Sequence, residues 1–188
     1  GSFDVDNIFE IFNGKLTGLN SSKDKKVKPI PFYTPNYKVK VKDVEQSHLC
    51  LGVKGVMQED DSYFPMVILN NIAGGSMSSR LFQNIREEKG LAYSVYSVSQ
   101  SYVADGIFSI YAGIGHNKVE ETLVAIADEL KLLAKEGITR QELQTAKEQL
   151  KSGYVFSQES VNSRMFSIGK NTLLLSRVLT PKEIIEKI

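Results

Sequence analysis

The chain has 188 residues, room for one domain and part of another at about 150 residues per domain, and enough length to bury a core. Apolar residues at 41% and charged residues at 24% give the balance of an ordinary globular protein, which excludes a fibre or a disordered tail, and no run approaches the roughly 20 apolar residues of a membrane span. Lys plus Arg at 23 against Asp plus Glu at 22 leaves a formal net charge of +1, too weak a field to grip nucleic acid, while the single cysteine, Cys50, cannot form an internal disulfide; with no secretory signal at the N-terminus, the cytoplasm is the default compartment.

Gly1 and Ser2 read as a cloning remnant, so the native sequence is taken to begin at Phe3, inside a longer protein. Over 6–19, Ile8, Phe9, Ile11, Phe12 and Leu16 recur at helical spacing, with Asp4 or Asp6 as the cap. Residues 21–36 crowd Lys23, Lys25, Lys26 and Lys28 beside Pro29, Pro31 and Pro35, and predict a solvated linker rather than a basic binding patch. Two strands are then expected. In the first, Val39 and Val41 alternate with Lys38, Lys40 and Lys42; in the second, Leu49, Leu51 and Val53 alternate with His48, Cys50, Gly52 and Lys54.

A helix follows from Asp61, with Pro65 in its first turn and a stop at Gly74-Gly75; Ser78 or Ser79 opens another, with Leu81, Phe82 and Ile85 on one face and Gly90 at its end. Residues 93–102 and 107–114 read as strands joined at Ala104-Asp105-Gly106, a β-hairpin. Asn117 with Glu120 is a capping box for a helix striped by Val119, Leu123, Ile126, Leu130 and Leu133 and ended by Gly137. Thr139 with Glu142 opens a long helical segment towards Ser176 that Gly153 is placed to bend or break, and Thr180 with Glu183 opens a last helix. The order β-β-α-α-β-β-α-α-α predicts an α+β fold, a mostly antiparallel sheet with helices packed on one face.

The chemistry is sparse. His48 and His116 are far apart in the chain, and neither H-E-x-x-H nor H-x-x-E-H occurs, so no metal site and no cofactor are expected in this chain. His48 beside Glu45 could serve as a general base or be simply solvated or packed. Cys50 has no local base and reads as a small hydrophobe. Ahead of a helix, Gly74-Gly75-Ser76-Met77-Ser78-Ser79-Arg80 leaves N–H groups open to an anion or a peptide carbonyl. It lacks the Gly-Lys-Ser/Thr ending of a P-loop, and stands as either a capped helix-to-helix turn or a ligand-facing loop.

The block Asn70-Asn71-Ile72-Ala73-Gly74-Gly75-Ser76-Met77-Ser78-Ser79-Arg80-Leu81-Phe82-Gln83-Asn84-Ile85-Arg86-Glu87-Glu88-Lys89-Gly90-Leu91-Ala92-Tyr93-Ser94-Val95 closely resembles the second half of the insulinase (pitrilysin) family of zinc metallopeptidases, in particular its short bacterial branch similar to mitochondrial processing peptidase. Residues 43–51, residues 110–116, and Glu148-Gln149-Leu150-Lys151 through Ser163-Arg164-Met165 to Lys170-Asn171 extend the resemblance over nearly the whole chain. It implies a duplicated polypeptide whose first half holds zinc through H-x-x-E-H and a distal glutamate, and whose second half keeps the fold without the ligands. Residues 3–20 would then end the zinc-binding half, 21–36 link, and 37–188 form the second half-domain, stopping before the family's closing elements.

The resemblance assigns supporting catalytic roles to Arg86 and Tyr93. Arg86 would hold a substrate backbone carbonyl, and Tyr93 would donate its phenolic proton to the developing oxyanion, the turn at Gly90 letting both face one cleft. Read without the resemblance, Arg86 with Glu87 and Glu88 is an exposed charged helix end and Tyr93 an ordinary strand aromatic. By the same resemblance, Gly74, Gly75, Ser76, Ser78, Ser79 and Arg80 are placed like the family's substrate-guiding loop and would contact the peptide, although the loop is short here. The implied partners are the zinc-binding half of the same protein and an extended peptide, with neither nucleic acid nor membrane, and with homodimerisation open through an exposed former interface. The competing expectation is a scaffold or binding subunit of the same fold without peptidase activity.

Overall fold

The computed structural model describes residues 2–18 and 32–188, so most of the expected linker lies outside the described residues. The chain divides into two compact units, residues 1–30 and 31–188. The first unit holds helix α1 (Val5–Leu16), capped by Asp4 rather than Asp6: the Asp4 carboxylate accepts from the amides of Asp6 at 3.0 Å and Asn7 at 3.2 Å. None of its residues is buried.

The second unit is built on strands β1 (Ser47–Lys54), β2 (Ala92–Ser101) and β3 (Gly106–Ile114), antiparallel throughout and ordered β1-β3-β2. Asp105 closes the β2–β3 hairpin, its carbonyl accepting from Tyr102 N and its carboxylate from Gly106 N, both at 2.8 Å. The strand expected over 38–42 does not form. Residues 32–44 have no regular structure, and Val39 and Val41 are 64% and 92% exposed. Alternation makes a segment able to lie half-buried on a sheet; it supplies neither a partner strand nor a face to cover, and this segment has neither.

Helix α2 (Tyr63–Asn70) takes Pro65 in its first turn, where no N–H is required, and runs on into a π-helical turn, Asn71–Gly75. The second expected helix is also π-helical, Phe82–Glu88. Helix α3 (Val119–Glu136) starts after a 3₁₀ turn with Lys118 at its cap, so the Asn117–Glu120 box is not made: the cap falls one residue too late for Glu120 to be the third helical position. Gly137, at φ 73°, ends α3 as expected. Helix α4 (Arg140–Ser157) passes straight through Gly153, and the break comes instead where Ser160 caps α5 (Val161–Leu175); α6 (Pro181–Lys187) closes the chain. Both Thr-x-x-Glu boxes, at Thr139 and Thr180, are formed.

The core lies on one sheet face. Val95, Ile110, Ala112 and Ile114 meet Leu81, Ile85 and Leu91 of the π-helical segment and its exit, and Ala125 and Ile126 of α3. A smaller cluster joins Ile68 and Ile72 to Ala146 of α4. The opposite face follows the other strand parity and carries His48, Cys50, Tyr96 and Tyr111, with Tyr111 stacked between His48 and Tyr96 at ring separations of 6.0 and 5.0 Å.

Candidate functional site

Arg86 and Tyr93 lie on either side of the turn that leads from the π-helix into β2. Gly90 makes this turn at φ 59°, a conformation that a side chain disfavours, and Leu91 N then donates to Ile85 O at 2.9 Å. Arg86 is exposed, its guanidinium carbon 4.8 Å above the Phe82 ring and its Nε 3.9 Å from the exposed Glu87 carboxylate, both weak restraints at a wet surface. Tyr93 is 64% exposed, and among the described residues its hydroxyl has no hydrogen-bond partner.

The exposure of Tyr93 has a local cause. Ala92 pairs with Ile114 and Ser94 with Gly113, so Tyr93 is the extra residue of a β-bulge and both Tyr93 and Ser94 stand opposite Gly113. Gly113 also pairs with His48, so its β2 partner Ser94 shares the sheet face of His48. Strand alternation in the sequence gives no sign of this bulge, because the inserted residue is itself a good strand former.

The glycine segment is tighter than a free loop. Gly74 is buried, and a Cβ there would lie 2.5 Å from Ser97 N and 2.7 Å from Ser97 Oγ, so glycine is required for the π-turn to rest on β2. Ser97 in turn donates to the Asn70 side chain at 2.9 Å. Ser79 is 1% exposed and its hydroxyl donates to Ser76 O at 2.6 Å. Gly75 and Ser78 are exposed and Ser76 half-buried; Ser76 and Ser78 share a 3.2 Å hydroxyl contact, and Gln149 of α4 donates to Ser78 Oγ at 3.1 Å. Gly75, Ser76 and Ser78 therefore remain reachable, whereas Gly74 and Ser79 are used in packing.

Arg80 is turned inward. Its Nε and one terminal nitrogen donate to the two Glu142 oxygens at 2.6 and 2.9 Å, and the same terminal nitrogen reaches Gly137 O at 2.9 Å. The Arg80 hydrogen bonds, with those of Thr139, hold the Glu142 carboxyl down to about 2, and Glu142 in turn raises the Arg80 pKa. Beside this fork, a shallow cavity of about 210 Å³ is lined by Asn71, Ser76, Ser78, Gln141, Glu142 and Thr145, among others. That volume suits a side chain rather than a cofactor. The α4 residues in it carry no motif that sequence reading could find.

Among the described residues the donor set does not suit zinc. His48 Nδ1 is 2.7 Å from the Tyr111 hydroxyl, and both nitrogens of His116 are engaged, with Ser47 Oγ at 2.8 Å and Val44 O at 2.9 Å. Among the described residues no group of three His, Cys, Asp or Glu side chains is placed to hold a metal ion. No described helix is long and apolar enough to cross a membrane.

The described residues thus form an antiparallel sheet with helices on one face and an open aromatic face, with no group of candidate metal donors among them. Residues 1–150 match the family model described as the peptidase M16 inactive domain, and the chain belongs to that family. A Bacillus subtilis (strain 168) protein named uncharacterized zinc protease YmxG is 45% identical over 175 residues, 93% of this chain and 41% of that protein. A Rickettsia felis protein, also named an uncharacterized zinc protease, is 34% identical over 187 residues, 99% of this chain and 45% of its own length. A conserved protein from Enterococcus faecalis V583 superimposes with a TM-score of 0.77 at 25% identity, over 99% of this chain and 44% of that one. The peptidase M16 inactive domain from Pseudomonas fluorescens gives 0.57 at 27% identity, over 75% of this chain and 37% of that one. The chain thus spans less than half the length of these relatives.

Proposed function

We propose that this chain is the metal-free, substrate-clamping half of a zinc endopeptidase that acts on extended peptides enclosed between two similar halves. One observation carries the reading: Arg86 and Tyr93 flank the Gly90 turn, both exposed, with a β-bulge turning Tyr93 out of the ladder and no described partner for its hydroxyl. Zinc supplies the activated water in such an enzyme, and it belongs to the other half, as the names of the relatives support. This chain's part is recognition and charge stabilisation. Arg86 donates to a substrate backbone carbonyl, and Tyr93 donates its phenolic hydrogen to the scissile carbonyl oxygen as negative charge builds there. Gly75, Ser76 and Ser78 offer polar contacts to the extended peptide, and Arg80 acts behind them, fixing the segment to α4.

The reading is tested by mixing the chain with the separately expressed zinc-binding half of its parent protein and an unfolded substrate. Cleavage is expected only in the mixture, with Tyr93→Phe lowering kcat by about 10²-fold and Arg86→Ala acting mainly on KM. A mixture no more active than the zinc-binding half alone would rule the clamp out.

A further inference from the structure

Arg86 is carried by a π-helix, a rare geometry that persists only where neighbours impose it. The hydrogen bonds at its exit show how the register is set. Lys89 N donates to Asn84 O at 3.1 Å, five residues back, while Ile85 O, the acceptor of an ordinary α-turn, is taken by Leu91 N at 2.9 Å. Asn84, whose backbone accepts the π-type bond, is also held by its side chain: Nδ2 donates to Glu129 Oε2 at 2.7 Å.

Glu129 is out of place by composition. It is 7% exposed, on the ridge of α3 that otherwise buries Thr122, Ala125 and Ile126. A buried carboxylate is costly unless paired, and its cation, Arg80, stands at 3.9 Å with its best bonds given to Glu142. Its short bond is the one to Asn84. A polar group retained in a core at such a cost is a candidate for specifying register rather than adding stability.

We propose that Glu129 is a positioning residue for the Arg86–Tyr93 site, locking residues 82–88 in the π-helical register through Asn84 so that Arg86 leaves the helix beside the Gly90 turn. The lock stands on the geometry alone; its consequence for catalysis rests on the clamp reading.

Amide hydrogen exchange on the chain, followed by NMR, reads the lock directly. In Glu129→Leu the amides of Lys89 and Leu91 should exchange at least about tenfold faster, while Ile110 and Ala112 in β3 keep their protection. Glu129→Gln retains an oxygen acceptor for Asn84 and should stay close to wild type. Asn84→Ala, which deletes the same bond while leaving Glu129 its arginine, must reproduce the local loss, and it serves if Glu129→Leu does not fold. In the reconstituted enzyme, Arg86→Ala and Glu129→Leu should be non-additive in kcat/KM, the double variant being no worse than Arg86→Ala alone. Unchanged exchange at Lys89 and Leu91, loss spread evenly over β3, or a Gln variant as damaged as the Leu variant would each overturn the lock. Faster local exchange with cleavage indifferent to Arg86→Ala would keep the lock and discard the clamp.

Discussion

A single glycine decides what the segment before the π-helix can do. A methyl group at residue 74 would lie within 2.5 Å of Ser97 N, backbone that cannot yield without moving β2. Gly74→Ala should therefore destabilise the chain by about 1–3 kcal/mol, the usual range for overpacking, seen as a lower urea midpoint. Gly90 fails for a different reason. Space around it is open, but its φ of 59° is disfavoured for any residue with a Cβ, so Gly90→Ala should cost about 1 kcal/mol and leave Gly74's packing untouched. The two substitutions separate close approach from backbone conformation, two reasons for glycine that residue type alone does not distinguish.

Between elements, the strongest polar joint is the Arg80–Glu142 fork that fastens the start of the π-helical segment to the first turn of α4. The same carboxylate accepts from Thr139 N at 2.7 Å, so one side chain completes a capping box and an interhelical ion pair. Because the Glu142 carboxyl sits at about 2 rather than the ordinary 4.5, the folded state binds this proton less readily than the unfolded chain. Its contribution to stability is thus complete above about pH 4.5 and is lost as the pH falls towards 2. Glu142→Gln should flatten the fall of Tm over that window and lower Tm at neutral pH, as thermal melts at stepped pH will show. The two Thr-x-x-Glu boxes were legible in the sequence because a cap is a local contract between four residues. The hairpin, the end of α3 at Gly137 and the exit at Gly90 were legible for the same reason. The bulge at Tyr93, the two π-helical turns and the inward course of Arg80 depend on which element lies alongside, and no window of residues encodes that. The strand expected over 38–42 failed on the other side of the same rule, having the alternation of a strand without a neighbour.

Seen whole, the second unit covers one sheet face with helices and leaves the other to an aromatic row, and it spends its histidines on internal bonds. His116 joins Ser47 to Val44 through both ring nitrogens and would have to give up a partner before ligating a metal, while His48 meets Tyr111 through Nδ1. Zinc prefers four ligands in a tetrahedron, and among the described residues not even three candidate donors are grouped. Chain purified with zinc present and then dialysed should therefore retain far less than one equivalent by plasma mass spectrometry, and its melting temperature should not move with added zinc, since a ligand stabilises only the state that binds it. One tightly held zinc per chain, with a raised Tm, would place the metal in this half and remove the need for a partner to supply it.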